Sequence, residues 1–266
     1  MRALNPQIPT EPTKVNDYPT EGAIFERSLQ ILSPNATIYG TVHRTKSGES
    51  PVTTFIRPGK PNITLDSIYV IGDGDMGTIQ TGIAINESTT ADNLIMKNSY
   101  MRDLYQGSSL AREDFTADKN IFKDCRTGVY TKNPALITDS VFVIPKTLPP
   151  ESGDGGSDGG TKELDWGIDG RIITIADKAT SGTFDLLNTY VYTEYPGDPN
   201  SLEFITDPAV AEQYIRDLRT SATYMDGEKQ AKTLAPDINF SASPYPHPLF
   251  PVEPRTHCFS SWKGYE

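Results

Sequence analysis

A short sequence pattern that returns about every 20 residues constrains this chain more than any other feature. Two polar residues followed by two apolar ones occur five times, as DSIY from Asp66, NSYM from Asn98, KNIF from Lys119, DSVF from Asp139 and NTYV from Asn188. The middle three copies are 21 and 20 residues apart, and Gly107 matches Gly128 at the first of these offsets. A spacing near 20 residues is typical of one coil of a three-strand β-solenoid, in which each coil buries its inward side chains against the next.

The spacing also predicts a register between the coils. We expect at least three regular coils between residues 62 and 144, with Ile68, Tyr100, Ile121 and Val141 at equivalent positions. The surrounding sequence agrees, because short β-branched and aromatic runs alternate with Gly, Asn, Asp and Pro. The alternative is a chance similarity of generic strand and turn sequence, since the four-residue pattern is permissive.

Composition divides the chain into three parts. Residues 1–35 are predicted to form an extended arm, because prolines recur there and proline lacks an amide donor and disfavours helix before it. Residues 36–206 are the predicted solenoid, with a Gly-rich surface insertion at 149–167. Residues 207–266 are predicted to hold one helix and an extension rich in proline and aromatic residues. A disordered terminus is the alternative to the arm.

The predicted helix has a clear start in the sequence. Asp207 is a good N-cap residue, and Pro208 suits the first helical position. In the following AVAEQYIRDLRTSA the apolar residues share one helical face: Val210, Ala211, Tyr214, Ile215, Leu218. Beyond residue 236 the prolines argue against helix and against an internal strand. We expect this tail to bury its aromatic side chains along the solenoid or on a neighbouring subunit.

The charge and hydropathy of the chain exclude two classes of partner. The chain has 24 basic and 35 acidic residues, a net charge of -11 that would repel a phosphate backbone. No run approaches the roughly 18 apolar residues of a membrane-spanning helix. The first 22 residues also lack the apolar region of a signal peptide. We therefore expect no nucleic-acid partner, no membrane anchor and no export by a standard signal.

Cysteine and histidine spacing argues against the common metal and nucleophile sites. Cys125 and Cys258 show no C-x-x-C spacing and are expected to be free thiols. The three histidines, His43, His247 and His257, share no metal-ligand spacing. Zinc sites and hydrolase triads are therefore not supported by the sequence.

The segment GDGDMG, residues 72–77, is a candidate ligand-binding turn. It matches a G-x-G-x-x-G pattern after a strand, but β-type sequence follows it where a dinucleotide site needs a helix. Asp73 and Asp75 lie two residues apart on this turn, where carboxylate and carbonyl oxygens suit Ca²⁺. These two residues are the candidate Ca²⁺ ligands, and no other cofactor is predicted. The alternative is a turn stabilised by its own Asx hydrogen bonds.

The repeat register brings together one group of charged residues. Arg102-Asp103 stacks over Lys123-Asp124, which places two cations and two carboxylates in adjacent columns on one outer ridge. In a lyase that acts on an acidic polysaccharide, a base removes the proton α to a carboxylate while a cation or Ca²⁺ stabilises the enolate. If the chain is a lyase, these four are the candidate catalytic residues. The alternative is a solvent-exposed charge ladder between coils.

The coils from about residue 62 to 144, with NSYM, NIF and SVF recurring near 20 residues and glycine closing the turns, resemble the pectin-lyase-like superfamily. That superfamily consists of right-handed parallel β-helices and includes polysaccharide lyases and hydrolases, and also spike, fibre and other structural proteins of bacteriophages. Together with the ends described above, the resemblance predicts an all-β right-handed parallel β-helix with extended Pro-rich ends and one short C-terminal α-helix. It supplies no catalytic motif that transfers residue by residue.

Two functions remain open from the sequence. The first is a non-catalytic structural or adhesion component of a virion-like assembly, which would form a homo-oligomer or bind other structural proteins. Such a chain would be found in a virion, or in the host cytoplasm before assembly. The second is an extracellular polysaccharide lyase acting by β-elimination on an acidic glycan. We favour the first because no complete catalytic set is legible in the sequence.

Overall fold

A computed structural model of the chain describes residues 23–74, 79–86, 90–111, 115–145, 170–176, 182–195, 198–219 and 237–248. Nearly all regular structure in these ranges is β-strand, and the one helix among them has five residues. No helix of the described part is long and apolar enough to cross a membrane.

The strands form three parallel sheets, here named A, B and C, which the chain visits in turn. Sheet A contains β1 (Ile24–Phe25), β4 (Val42–Arg44), β7 (Tyr69–Ile71), β10 (Tyr100–Arg102), β13 (Ile121–Lys123), β16 (Val141–Pro145) and the second half of β18 (Phe184–Tyr195). Sheet B contains β2 (Leu29–Ile31), β5 (Thr54–Pro58), β8 (Thr81–Ile85), β11 (Gln106–Leu110), β14 (Thr127–Thr131), β17 (Arg171–Ile175) and β20 (Ile215–Asp217). Sheet C contains β3 (Thr37–Tyr39), β6 (Ile63–Asp66), β9 (Leu94–Lys97), β12 (Phe115–Asp118), β15 (Ala135–Thr138), the first half of β18, and β21 (Ile238–Ala242).

The pairing order is consistent with a parallel β-solenoid of three strands per coil. Each strand from β1 to β15 pairs in parallel with the strand three elements further along the chain, and β16 pairs in parallel with the second half of the long strand β18. One strand breaks this pattern, because β19 (Asp198–Ile205) pairs antiparallel with the second half of β18. Parallel sheets of this kind bury side chains in long columns, one residue from each coil.

The predicted equivalence of three of the four marker residues is confirmed. Tyr100 pairs with Ile121, and Ile121 pairs with Val141. The pattern at Asn188 continues the same column, because Val141 pairs with Tyr190. The 21- and 20-residue spacings are therefore true coil lengths.

The register predicted for the first copy is wrong by one residue. Tyr69, not Ile68, pairs with Tyr100. Ser67 has a φ of 54°, close to the 51° of Asn98, so Ser67, and not Asp66 as the repeat predicts, occupies the left-handed turn position. Serine and asparagine both tolerate tight turns, and this similarity hid the shift.

Asparagines at the turn before sheet C form a hydrogen-bonded ladder. Asn35, Asn62 and Asn93 have φ values of 57°, 58° and 57°, a left-handed conformation that asparagine adopts more readily than other non-glycine residues. The Asn62 Nδ2 donates to Asn35 Oδ1 at 2.8 Å, and the Asn93 Nδ2 donates to Asn62 Oδ1 at 2.9 Å. The ladder connects three successive coils.

A buried polar column lines the turn before sheet A. The Ser99 amide donates to Asn120 Oδ1 at 2.9 Å, and the Asn120 amide donates to Ser140 Oγ at 3.2 Å. The Asn120 Nδ2 also donates to the Met96 carbonyl at 3.0 Å. All three column side chains are buried. Since a buried polar group without a partner is costly, these bonds fix how the coils stack.

Glycine is required where neighbouring coils approach closely in sheet B. A Cβ atom on Gly107 would lie 2.5 Å from the Gly128 carbonyl oxygen and 2.6 Å from the Phe122 ring. The matching glycines found in the sequence repeat therefore mark a packing contact in the interior.

The helix α1 (Pro208–Glu212) is shorter than predicted. Its start is confirmed, because the Asp207 side chain accepts a hydrogen bond from the Ala209 amide at 2.9 Å. The predicted second half is instead strand β20, whose Ile215 pairs with Ile173 of β17. A partner strand in sheet B therefore outweighs the weak intrinsic helix propensity of this segment.

One strand lies beyond residue 236, at the edge of sheet C and not in its centre, so it does not contradict the expectation that no internal strand forms there. Strand β21 pairs in parallel with Phe184–Leu186 in sheet C. No proline falls within Ile238–Ala242, so this stretch keeps its amide donors. The predicted insertion at 149–167 and the first 22 residues lie outside the described residues.

An ion cluster joins β20 to the start of β21. Arg219 Nε lies 3.0 Å from Asp217 Oδ1, and Arg219 Nη1 lies 2.9 Å from Asp237 Oδ2. The guanidinium also lies 4.6 Å from the centre of the Phe184 ring. Asp217 is fully buried, and the Arg219 guanidinium compensates its charge.

Candidate functional site

The candidate catalytic residues lie at one edge of the outer face of sheet A. In β10 the side chain of Met101 belongs to the main core, so its neighbours Tyr100 and Arg102 project from the opposite face. Arg102 pairs with Lys123 of the next coil. The predicted stacking of these two cations is therefore present in the fold.

The two aspartates occupy the turn that follows sheet A. Asp103 and Asp124 have φ values of 57° and 52°, in the left-handed region that aspartate tolerates better than most residues. Their amides continue the ladder between coils, because Asp103 N donates to the Lys123 carbonyl and Asp124 N donates to the Val143 carbonyl. Backbone conformation alone is a sufficient reason for aspartate at both positions.

A fifth charged residue, Glu194, joins these four. Lys123 Nζ lies 2.5 Å from Asp124 Oδ2 and 2.6 Å from Glu194 Oε1. Arg102 Nε lies 3.5 Å from Asp103 Oδ2. We call Arg102, Asp103, Lys123, Asp124 and Glu194 the charged ridge. Glu194 was not predicted from the repeat, because it is 71 residues from Lys123 and lies where β18 runs straight on past the usual turn.

Burial changes the protonation of the charged ridge. It raises the pKa of Glu194 from 4.5 to about 7, with a further increase from the nearby Asp124 carboxylate and an opposing effect from Lys123. Burial also raises the pKa of Asp103. For Lys123, burial lowers the pKa, but the carboxylates of Asp124 and Glu194 outweigh it, so its pKa is raised. Lys123 is therefore charged at neutral pH.

This arrangement limits what the charged ridge can do chemically. The Lys123 ammonium already contacts two carboxylates, so it would have to leave at least one of them to stabilise a developing enolate. Glu194 is the group with a pKa suited to proton transfer near neutral pH. Structural ion clusters shift pKa values in the same way, so the shift by itself does not identify an active site.

Only half of the candidate Ca²⁺ pair can be placed. The Asp73 amide donates to the buried Gln80 side chain at 2.8 Å, which holds the turn against β8. Asp75 lies outside the described residues. Within the described ranges no three His, Cys, Asp or Glu side chains are grouped so as to hold a metal ion. The Ca²⁺ site stays a prediction.

Two other reactive side chains, Cys125 and His43, are buried and structural. Cys125 is a free thiol, as expected, and burial raises its pKa well above the ordinary value. A thiol that stays protonated is a poor nucleophile. Burial lowers the pKa of His43 to about 3, and its Nε2 lies 2.9 Å from Thr41 Oγ1. His43 is therefore neutral and also stacks on Phe25, with the ring centres 5.0 Å apart.

Comparison with protein-family models, with curated proteins and with solved structures finds no significant match to this chain.

Proposed function

We propose that this chain is a right-handed parallel β-helix with a non-catalytic structural or adhesion role in a virion-like assembly. The observation that supports this best is the state of Lys123, whose ammonium contacts both Asp124 and Glu194. A cation held by two carboxylates of its own chain is poorly placed to meet an anionic substrate. The charged ridge therefore suits a structural role, in which ion pairs connect the coils of one chain.

The side-chain ladders support a role as a rigid spacer. The asparagine ladder and the buried Ser99–Asn120–Ser140 column both run from coil to coil along the solenoid axis. In a solenoid each coil contacts only its neighbours, so bonds of this kind resist bending and slippage locally. The acidic surface, with a net charge of -11, favours protein or cation partners over nucleic acid.

Oligomeric state is the test of this role. We expect the full chain to form a homo-oligomer of defined mass in light scattering, or to co-sediment with other structural proteins of a particle. A chain that stays monomeric over the whole accessible concentration range, and that co-sediments with no particle, would contradict the proposal. Replacing Lys123 by Ala should leave the mass of the oligomer unchanged, because the ion pairs of Lys123 form within one chain.

A polysaccharide lyase is the second candidate, and Glu194 is the observation that favours it. A carboxylate with a pKa of about 7 beside Lys123 could remove the proton α to a uronate carboxylate, while the ammonium stabilises the enolate. Polygalacturonate and alginate, each assayed with and without Ca²⁺, would then yield products that absorb in the unsaturated uronate band. Both Glu194→Gln and Lys123→Ala should abolish that absorbance. No absorbance from the unaltered chain would remove the lyase hypothesis for these substrates.

A further inference from the structure

The outer face of sheet A carries an apolar stripe that crosses five strands. Val42 pairs with Tyr69, Tyr69 with Tyr100, Tyr100 with Ile121, and Ile121 with Val141. We call these five residues the apolar stripe. They form a cluster separate from the main core, whose sheet A members are the intervening residues on the other face of each strand. The stripe therefore lies on the outside of the solenoid.

The apolar stripe is buried although it faces outward. None of its five side chains exposes more than 5% of its surface, and Tyr100 exposes 1%. A tyrosine that projects from an uncovered sheet contacts only its neighbours on that sheet, which leaves the tip of the ring in solvent. Burial to this degree requires a layer over the stripe.

Strand β19 covers only the far end of this face. Its Leu202 and Phe204 pack against the cluster that contains the stripe. However, β19 is hydrogen-bonded along the free edge of β18, so it continues sheet A sideways. Tyr69 and Tyr100 lie several strands away from that edge. Strand β19 therefore does not lie over them.

The last described residues of the chain arrive at the end of the stripe. Tyr190 follows Val141 in the same column. The ring of His247 meets the Tyr190 ring edge-on, with the centres 4.8 Å apart. The His247 amide donates to the Tyr192 hydroxyl at 2.9 Å. The chain beyond Pro248 therefore starts on the outer face of sheet A, beside the apolar stripe.

The sequence that follows has the composition and the length to cover the stripe. Residues 249–266 include Phe250, Phe259, Trp262 and Tyr265, four aromatics in 18 residues. Five strand spacings separate β18 from β4: one from β18 to β16, which carries Val141, and four along the stripe. At about 4.8 Å each, the distance is roughly 24 Å. An extended proline-rich chain covers about 3.1 Å per residue, so 18 residues reach roughly 55 Å.

We propose that the apolar stripe is the docking surface for the C-terminal segment 249–266 of the same chain. The segment would cross the strands of sheet A from β18 toward β4, with its aromatic rings over Tyr100 and its neighbours in the column. The other long segments are poorer candidates, since residues 1–22, 146–169 and 220–236 contain one aromatic residue each. This docking is independent of the proposed structural role and of the lyase hypothesis.

Tryptophan fluorescence of the full chain tests the docking. The chain has two tryptophans, so Trp166→Phe leaves Trp262 as the only reporter. We expect its emission to be blue-shifted, and its quenching by acrylamide weaker, than in a synthetic peptide of residues 249–266. In the same background Tyr100→Arg should remove both effects. The matched control is Leu136→Arg, which changes an exposed residue on sheet C and should leave the emission unaltered.

Each other result overturns the proposal. Emission from the single-tryptophan chain that equals that of the free peptide would show that the segment is not docked. A blue shift that survives Tyr100→Arg, and also the milder Ile121→Ser, in chains with unchanged circular dichroism would place the segment elsewhere. A blue shift that is lost on dilution, together with a fall in mass by light scattering, would show that the stripe of a second copy is the docking surface.

Discussion

Replacing Glu194 by Gln tests the electrostatics of the charged ridge, because the two side chains have nearly the same shape and differ in charge. Burial raises the pKa of Glu194 from 4.5 to about 7 in the folded chain. The folded state then binds this proton more tightly than the unfolded state does. The contribution of Glu194 to the free energy of unfolding is therefore fully present below about pH 4.5 and is lost as the pH rises through about 7.

The expected size of this effect follows from the shift. One pKa unit corresponds to about 1.4 kcal/mol, so a shift from 4.5 to about 7 corresponds to about 3 kcal/mol lost across the window. Glutamine cannot titrate, yet its Oε1 can still accept a hydrogen bond from Lys123. Relative to Glu194→Gln, the unaltered chain should therefore become less stable by about 3 kcal/mol between about pH 4 and about pH 8.

Urea unfolding followed by circular dichroism, repeated at intervals across that pH range, measures the difference between the two chains. Glu49→Gln is the control, because Glu49 is exposed and Lys46 lowers its pKa. A lowered pKa stabilises the folded state above the unfolded pKa, and that stabilisation is lost as the pH falls, so the control should show the opposite sign. If the difference between the unaltered chain and Glu194→Gln is the same at every pH, the assignment of a raised pKa to Glu194 is refuted.

Three further substitutions test the coil contacts, each by urea or thermal unfolding. Gly107→Ala should destabilise the chain by about 1–3 kcal/mol through overpacking, whereas Ser109→Ala on the outer face of the same strand should cost far less; equal costs would refute the close approach. Asn62→Ala should cost about 1–2 kcal/mol through the lost ladder bonds and a strained left-handed turn, and Asn62→Gly should cost less because only the bonds are lost. Arg219→Met should cost about 3–5 kcal/mol, since it removes the guanidinium that contacts the buried Asp217 carboxylate, and Asp217→Asn in the same chain should recover part of that loss.

The regular coils were predictable because their signal is local and repeated. Tyr100, Ile121 and Val141 each follow a turn residue and a small buried polar residue, and this order recurs at a nearly constant spacing. The misplaced copy shows the limit of such a pattern. Ile68 occupies the position of the buried polar column, where it donates its amide to Ser99 Oγ at 3.2 Å. An apolar residue at a usually polar position shifted the alignment by one.

The elements that depend on distant partners were not predictable. The stretch from Ile215 to Asp217 has helical periodicity, but a partner strand in sheet B decides its conformation. Glu194 joins the charged ridge only because β18 continues straight after entering sheet A, which no short motif encodes. The pairing of Arg102 with Lys123 was predictable because both belong to the repeat. A catalytic role for the charged ridge stays a prediction.

The direction of β19 bears on how copies of this chain could polymerise. An open parallel solenoid is a template at its end, because another molecule can add its first coil and extend all three sheets. Here the strand next to β18 in sheet A runs the opposite way. A second copy arriving end to end would find no parallel partner of the required hydrogen-bond spacing in that sheet. The antiparallel strand β19 therefore interrupts head-to-tail continuation of sheet A at this end of the described fold.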